Sequence, residues 1–284
     1  MIARAVLVPI VARALAEDLE GGDLTTEATV DPSAEATAQA VARGEIVVCG
    51  GEVFKAVFAE IDPTLEVATY TADGAVAQSG DVLWTVRGSA RSILMGERTA
   101  LNFVQRLSGT ATLARKYVNS VPADSTTRIT DTRKTTPGLR VLERYAVRTG
   151  GAHNHRDTLG SAILIKDNHV IAAGGITRAI ERAKTRGPHT SKIEVEVESM
   201  SELEEALAAG ADIVMLDNFS PSNVDAAVAL AKGRALVEVS GRITLERIAV
   251  LARAGVDVVS VGALTHSAPA ADIGLDIRTA EIGP

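Results

Sequence analysis

The sequence predicts an α/β protein in two parts, a small N-terminal α+β unit followed by a parallel α/β barrel, and three observations carry that expectation. At 284 residues the chain can hold one barrel of roughly 250 residues or less plus a smaller unit. Its second half repeats an apolar β-branched run and then an amphipathic helical stretch, at intervals of roughly twenty residues. Its composition, 46% hydrophobic and 23% charged, is that of a globular chain with a real core. Because aromatics are only 3%, that core must be built from Val, Leu, Ile and Ala.

The elements follow in order. The opening "MIARAVLVPIVARALAEDL" is too interrupted by Pro9 and Arg13 for a signal peptide. It reads instead as an amphipathic helix with Pro9 in its first turn, Val11, Leu15 and Leu19 on one face, and Gly21-Gly22 ending it. From about residue 34 to 87, short strand-like runs ("ATAQAVARGEIVVCGG", "TLEVATYTADG", "DVLWTVRG") surround one apolar segment at helical spacing, "VFKAVFAEID". "SARSILMGERTALNFVQRLSGTATLARKYVNSV" predicts a long helix or a helix pair punctuated near Ser108-Gly109. Arg91, Arg98, Asn102 and Gln105 share one side of it, opposite Ile93, Leu94, Leu101 and Val104.

The repeating half runs "TRITDTRK", "SAILIKDNH", "KIEVEVES", "DIVMLDNFS", "ALVEVSG" and "DVVSVGALTHS", with helical stretches such as "SELEEALAAGA" between them. Alternating β and α units with short Gly-containing turns form a parallel sheet with helices outside, most simply closed as a barrel. Barrel chemistry sits at the C-terminal ends of the strands. Those ends carry Asp131 to Lys134, then Lys166 to Asn168, Glu196 and Glu198, Asp217-Asn218, Ser240-Gly241 and Gly262-Ala263. Glu194 and Glu238 are the exceptions within otherwise apolar strand interiors.

Sorted by chemistry, the rim has a cationic sector (Arg133, Lys134, Arg156, Lys166), an acidic sector (Glu196, Asp217) and a late sector of small residues. These suit an anionic substrate, a divalent metal and a phosphate. Residues 131 to 156 hold six arginines and lysines and two histidines among two acids, in a chain of net charge -7. That balance argues against a general nucleic-acid binder, whose basic charge would be spread over a surface. Arg140, Arg144 and Arg148 fall four apart on the intervening helix, and at least some of them read as ordinary surface or interface charge. The pair His153 and His155 is a weak zinc signal, because it follows glycines rather than a strand and lacks an evident second ligand set. One cysteine, Cys49, excludes an intrachain disulfide and fits a reducing cytoplasm. No run approaches the roughly 18 apolar residues of a membrane span.

"DTRKTTPGLRVLERYAVRTGG", "NHR", "IKDNHV", "EVEVES", "MLDNF", "EVSG" and "VGALTHS", in that order, together with "EDLEGGDLTT" and "ERTALNFVQRLSG", resemble the quinolinate phosphoribosyltransferase family over nearly the whole chain. The resemblance implies an N-terminal α/β sandwich domain over residues 1–108, joined by residues 267–284, and an incomplete seven-stranded α/β barrel over 109–266. It implies transfer of a phosphoribosyl group to quinolinate with loss of CO₂, in NAD biosynthesis, and a cytoplasmic homodimer whose site is shared between subunits; whether dimers assemble into hexamers stays open.

Carried over residue by residue, quinolinate meets Arg98 from the partner, Thr132, Arg133, His155, Arg156 and Lys166, and Lys134 lies between the substrates. Glu196 and Asp217 face the ribose and Mg²⁺ side of phosphoribosyl pyrophosphate, directly or through water. Ser240, Gly241, Arg242, Val261, Gly262 and Ala263 surround its 5′-phosphate, and Arg43 is a further basic position. Lys134, Glu196 and Asp217 are the expected catalytic residues. Arg242 after Gly241, and Val239 beside Ser240, depart from the family pattern towards a more cationic loop with fewer hydroxyls.

Three alternatives stand beside this reading. A paralogue of the same fold could use another base or serve molybdenum metabolism. A zinc hydrolase could be built on "HNH". A non-catalytic phosphate-ligand-binding protein would need the rim but not Lys134, Glu196 and Asp217 together.

Overall fold

A computed structural model describes residues 2–279 of the chain. In order, its elements begin α1 (Arg4–Leu19), α2 (Leu24–Thr29), β1 (Glu35–Ala42), β2 (Ile46–Val47), α3 (Gly51–Ile61), β3 (Glu66–Thr69), β4 (Val76–Ala77), β5 (Val82–Ser89) and α4 (Ala90–Asn119). They continue β6 (Arg128–Thr130), α5 (Arg140–Thr149), β7 (Ile163–Ile165), α6 (Asp167–Ala173), α7 (Ile176–Arg186), β8 (Ile193–Val197), α8 (Met200–Ala208) and β9 (Ile213–Asp217). The last are α9 (Pro221–Ala231), β10 (Leu236–Ser240), α10 (Leu245–Arg253), β11 (Val258–Ser260), α11 (Ala263–His266) and β12 (Ile273–Thr279).

The chain forms two compact units. The first contains residues up to Arg115, Thr136–Gly151 and the chain from Thr265 onward; the second contains Lys116–Thr135 and Ala152–Leu264. Residues 280–284 of the expected C-terminal tail lie outside the described residues.

In the first unit an antiparallel sheet runs in the order β12-β1-β5-β3. The central strand β1 pairs with β5 from Glu35↔Ser89 to Val41↔Val82, and on its other edge with β12 from Ala36↔Thr279 to Ala42↔Ile273. Its small residues Ala36, Ala38 and Ala40 alternate into the core, the period of a strand with one face buried. Phe54 and Phe58 of α3 pack edge to face at 4.9 Å, and Phe54 stacks on Trp84 of β5 at 5.1 Å, so three of the few aromatics form one cluster.

One helical expectation is corrected and one open choice is settled. Helix α1 starts at Arg4 rather than near Pro9, because the buried row continues back from Val11 and Leu15 to Leu7, spaced four apart. Burial of that row outweighs the one backbone hydrogen bond that Pro9 withholds in the second turn. Helix α4 runs unbroken through Ser108-Gly109. Gly109 serves packing there: a Cβ on it would stand 2.0 Å from the carbonyl oxygen of Pro269.

The second unit has a six-stranded parallel sheet in the order β6-β11-β10-β9-β8-β7. Pairing of its first strand, β6, with its last, β11, at Val259↔Ile129 bends the series round into an open barrel. The free edge of β6 carries one further parallel bridge, Thr130↔His153. The seventh strand expected from the sequence is thus reduced to that bridge. Helices α8 and α9 begin where Ser199 and Ser220 accept hydrogen bonds from the backbone N–H groups of Glu202 and Asn223, and Pro221 follows as a fixed first residue. On β8 the outward Val195 and Val197 are fully buried, while the inward face carries Glu194 and Glu196.

Candidate active site

The C-terminal strand ends of the second unit surround a cavity of about 370 Å³. Strand β6 delivers Thr132, Arg133 and Lys134, the bridged segment after it delivers His155 and Arg156, and the end of β7 delivers Lys166. Across from these cations stand Glu196 of β8, Asp217 of β9 and Ser240 of β10. The sequence-predicted cationic and acidic sectors therefore line one cavity.

Four further lining residues escaped the reading of strand ends: Leu164, Met215, Glu238 and Ser260. Each lies two positions before a residue that was singled out: Lys166, Asp217, Ser240 and Gly262. The pleat puts such residues on the same face, so counting back by two would have found them.

Other expected residues are elsewhere. Arg98 is exposed on α4, and Arg43 makes a 2.5 Å ion pair with Asp276; both belong to the first unit. Gly241 (φ +91°) and Arg242 (φ +40°) form the turn after β10 and do not line the cavity. Val261 is buried and donates its N–H to the Thr130 carbonyl, while Gly262 and Ala263 lead into α11. The first unit has its own cavity, about 400 Å³ between α1, α4 and residues 136–142. Its Arg106 is committed to the buried Glu143, to Thr136 and to the Thr265 carbonyl.

Charges within the barrel cavity are paired closely. Lys166 Nζ donates to Glu196 Oε2. His155 Nε2 lies 3.2 Å from Glu194 Oε2 and 3.5 Å from Glu238 Oε1, both glutamates being buried. Burial, the largest influence on the ring, works to discharge it, but the hydrogen bonds and charges of the two glutamates prevail and push His155 up to about 10. The Arg156 N–H, which donates to His155 Nδ1 at 2.7 Å, opposes that charge. It is a single neutral hydrogen bond, whereas two buried carboxylates attract the imidazolium, so the carboxylates prevail. Burial likewise raises Glu194. Arg156 is lowered by its burial and then by the charge of Arg133, while its Nη1 donates to the Ala162 carbonyl at 3.1 Å.

His155, Glu194 and Glu238 are also the one group among the described residues whose ligand atoms converge as a metal site would require. A histidine ligating through Nε2 must leave that nitrogen unprotonated, whereas the charged ring that the two glutamates favour carries a proton there. His153 is exposed and not part of the group, so the H-x-H zinc expectation finds no ligand set among the described residues.

Asp217 is joined by Asn218, whose Nδ2 donates to Asp217 Oδ2 at 2.9 Å. Asn218 (φ +57°) and Arg242 are the two non-glycine residues with positive φ among those described, and both flank the rim. A Cβ on Gly241 would come within 3.0 Å of side-chain oxygens of both Asp217 and Asn218. The rim chain is therefore packed to the limit beside this carboxylate.

Comparison with known proteins agrees over both units. The model of the quinolinate phosphoribosyl transferase N-terminal domain matches residues 23–108, and that of the C-terminal domain matches residues 110–276. A relative from Bacillus subtilis, described as a probable nicotinate-nucleotide pyrophosphorylase [carboxylating], is 41% identical, with 92% of this chain and 90% of the relative covered. The nicotinate-nucleotide pyrophosphorylase [carboxylating] of Mycobacterium leprae is 44% identical over 93% of this chain and 95% of its own. Among solved structures, the nicotinate-nucleotide pyrophosphorylase of Francisella tularensis superposes with a TM-score of 0.93 at 40% identity, covering 98% of each chain.

Proposed function

The chain belongs to the quinolinate phosphoribosyl transferase family, and on that premise we infer that it is the phosphoribosyltransferase that converts quinolinate and phosphoribosyl pyrophosphate to nicotinate mononucleotide, pyrophosphate and CO₂ in NAD biosynthesis. The observation that carries this reading at the level of the site is the meeting of Arg133, Lys134, Arg156 and Lys166 with Glu196 and Asp217 in one cavity. Quinolinate is a pyridine with two adjacent carboxylates. Several cations in a partly enclosed cleft are what a small dianion requires, since each is worth more there than on the surface. The same requirement favours quinolinate over a monocarboxylate base in a paralogue.

In the proposed mechanism the arginines and Lys166 seat the two carboxylates so that the ring nitrogen faces C1 of the ribose. The nitrogen's electron pair forms the N–C1 bond as the bond from C1 to pyrophosphate oxygen breaks. Positive charge develops on the ribose in that transition state, and Glu196 and Asp217 face it. Lys134, exposed at the cavity edge, meets the departing pyrophosphate. The alkylated ring then draws the electron pair of the C2–carboxylate bond; CO₂ leaves, C2 takes up a proton, and the surrounding cations stabilise the intervening carbanion.

The donors present fit Mg²⁺. Glu196 and Asp217 are carboxylates on neighbouring strands at one cavity, and this ion is usually held by one or two carboxylates together with substrate phosphates. When bound by them, it supplies neutralisation of pyrophosphate charge.

Because Arg98 and Arg43 belong to the first unit, the reading includes a homodimer in which the partner's Arg98 completes the quinolinate site and the partner's Arg43 adds a further cation. The turn at Gly241 and Arg242 with the segment from Val261 to Ala263 forms the 5′-phosphate seat. We assign the protein to the cytoplasm, where its single thiol, on the buried Cys49, suits reducing conditions.

The test is direct: protein, Mg²⁺ and phosphoribosyl pyrophosphate with either quinolinate or nicotinate, following CO₂ and mononucleotide. Quinolinate-dependent CO₂ release is expected, and its absence would overturn the reading.

A further inference from the structure

The cationic wall of the cavity is assembled from two stretches of chain, Thr132 to Lys134 and His155 to Arg156, that are far apart in sequence. One carboxylate joins them. Asp131 is fully buried, 0% exposed, at the point where the chain leaves β6. Its Oδ1 accepts the backbone N–H of His155 at 2.7 Å, and its Oδ2 accepts the side-chain amide of Asn154 at 2.6 Å. The backbone ladder next to it stops just short of this point: His153 N donates to the Ile129 carbonyl at 2.8 Å, and Asp131 N donates to the His153 carbonyl at 3.2 Å. At His155 the carboxylate takes the donor that a neighbouring strand would otherwise bind.

An ionised carboxylate withdrawn from water is costly unless both oxygens are hydrogen-bonded, and bonds to a charged acceptor are the stronger kind. Here the segment bearing His155 and Arg156 supplies a donor to each oxygen. We propose that Asp131, acting with Asn154, is a positioning residue for the base: it fixes His155 and Arg156 in register with Thr132, Arg133 and Lys134, and so sets the spacing of the cations that grip the two carboxylates. This rests on the quinolinate reading of the cavity. Recognition of a rigid dicarboxylate tolerates little error in spacing, so loosening the wall weakens the base far more than phosphoribosyl pyrophosphate.

The test compares Asn154→Ala, which removes a hydrogen bond to Asp131 and leaves the carboxyl group in place, with Asp131→Asn, which keeps the shape and puts an amide against one of the donors. For Asn154→Ala the KM for quinolinate rises about tenfold while that for phosphoribosyl pyrophosphate changes less than about twofold. Its urea midpoint stays near that of the unsubstituted protein, and calorimetric binding of quinolinate weakens in parallel. Asp131→Asn gives a larger rise of the same kind.

A folded Asn154→Ala protein with unchanged quinolinate KM, or with both KM values raised alike, overturns the proposal; if Asp131→Asn does not fold, the Asn154 variant decides. Unsubstituted protein that releases no CO₂ from quinolinate instead overturns the parent reading, which the same assay detects separately.

Discussion

Lys134 is exposed, and its backbone N–H donates to Thr132 Oγ1 at 3.1 Å, a bond of the turn that a change of side chain leaves in place. Truncation to alanine at this exposed position should spare the core and remove a charge that acts on the leaving group. We expect kcat to fall about 10²–10³-fold with an unchanged urea midpoint, and near-normal turnover would remove Lys134 from catalysis. His155 carries a different consequence, because its folded-state value of about 10 lies above the ordinary 6.5. The sign follows from linkage: its contribution to stability is complete below about pH 6.5 and is lost as pH rises through about 10. At about 1.4 kcal/mol per unit, that rise corresponds to roughly 5 kcal/mol, which should disappear across that window as read from urea midpoints at several pH values. Glu238→Gln should flatten the profile, whereas a profile with the full slope in that variant would sever the link between the pair.

At the scale of elements, α4 offers a test in which packing and helix propensity have opposite signs. In an open helix, Gly→Ala stabilises by up to about 1 kcal/mol. At Gly109 the added Cβ would meet the Pro269 carbonyl oxygen at 2.0 Å, so we expect Gly109→Ala to lose about 1–3 kcal/mol in chemical denaturation. A stabilised variant would contradict the packing role. The same glycine explains why the sequence left one long helix and a helix pair both open: residue type alone does not distinguish a glycine that ends a helix from one that admits a neighbouring chain. The βα rhythm after residue 190 was legible because each strand and helix shows its own period. Ser260 and Glu238 needed the pleat as well as the strand end, because they share the inward face with Gly262 and Ser240 two positions on.

For the whole molecule, the resemblance reached what local pattern could not. Arg98 looks like any solvated helix arginine, and its exposure in the single chain leaves that appearance intact. If the partner's Arg98 completes the site, mixing two inactive proteins should restore function. In an Arg98→Ala and Lys134→Ala mixture, random reassociation makes half the dimers mixed, each with one intact site. About a quarter of normal activity should return after subunit exchange. No recovery, with exchange verified by mass, would assign each site to one subunit. Sedimentation of the same samples distinguishes dimers from hexamers.

The register of β1 against β12 also governs the order in which the chain can mature during synthesis. Strand β1 is made well before Ile273–Thr279, the strand on which one of its edges must wait. While the ribosome completes the intervening barrel, that edge is unpaired and open to wrong partners. Its run of alanine with Glu35, Thr37 and Gln39 between is weakly hydrophobic, which limits the hazard during the wait.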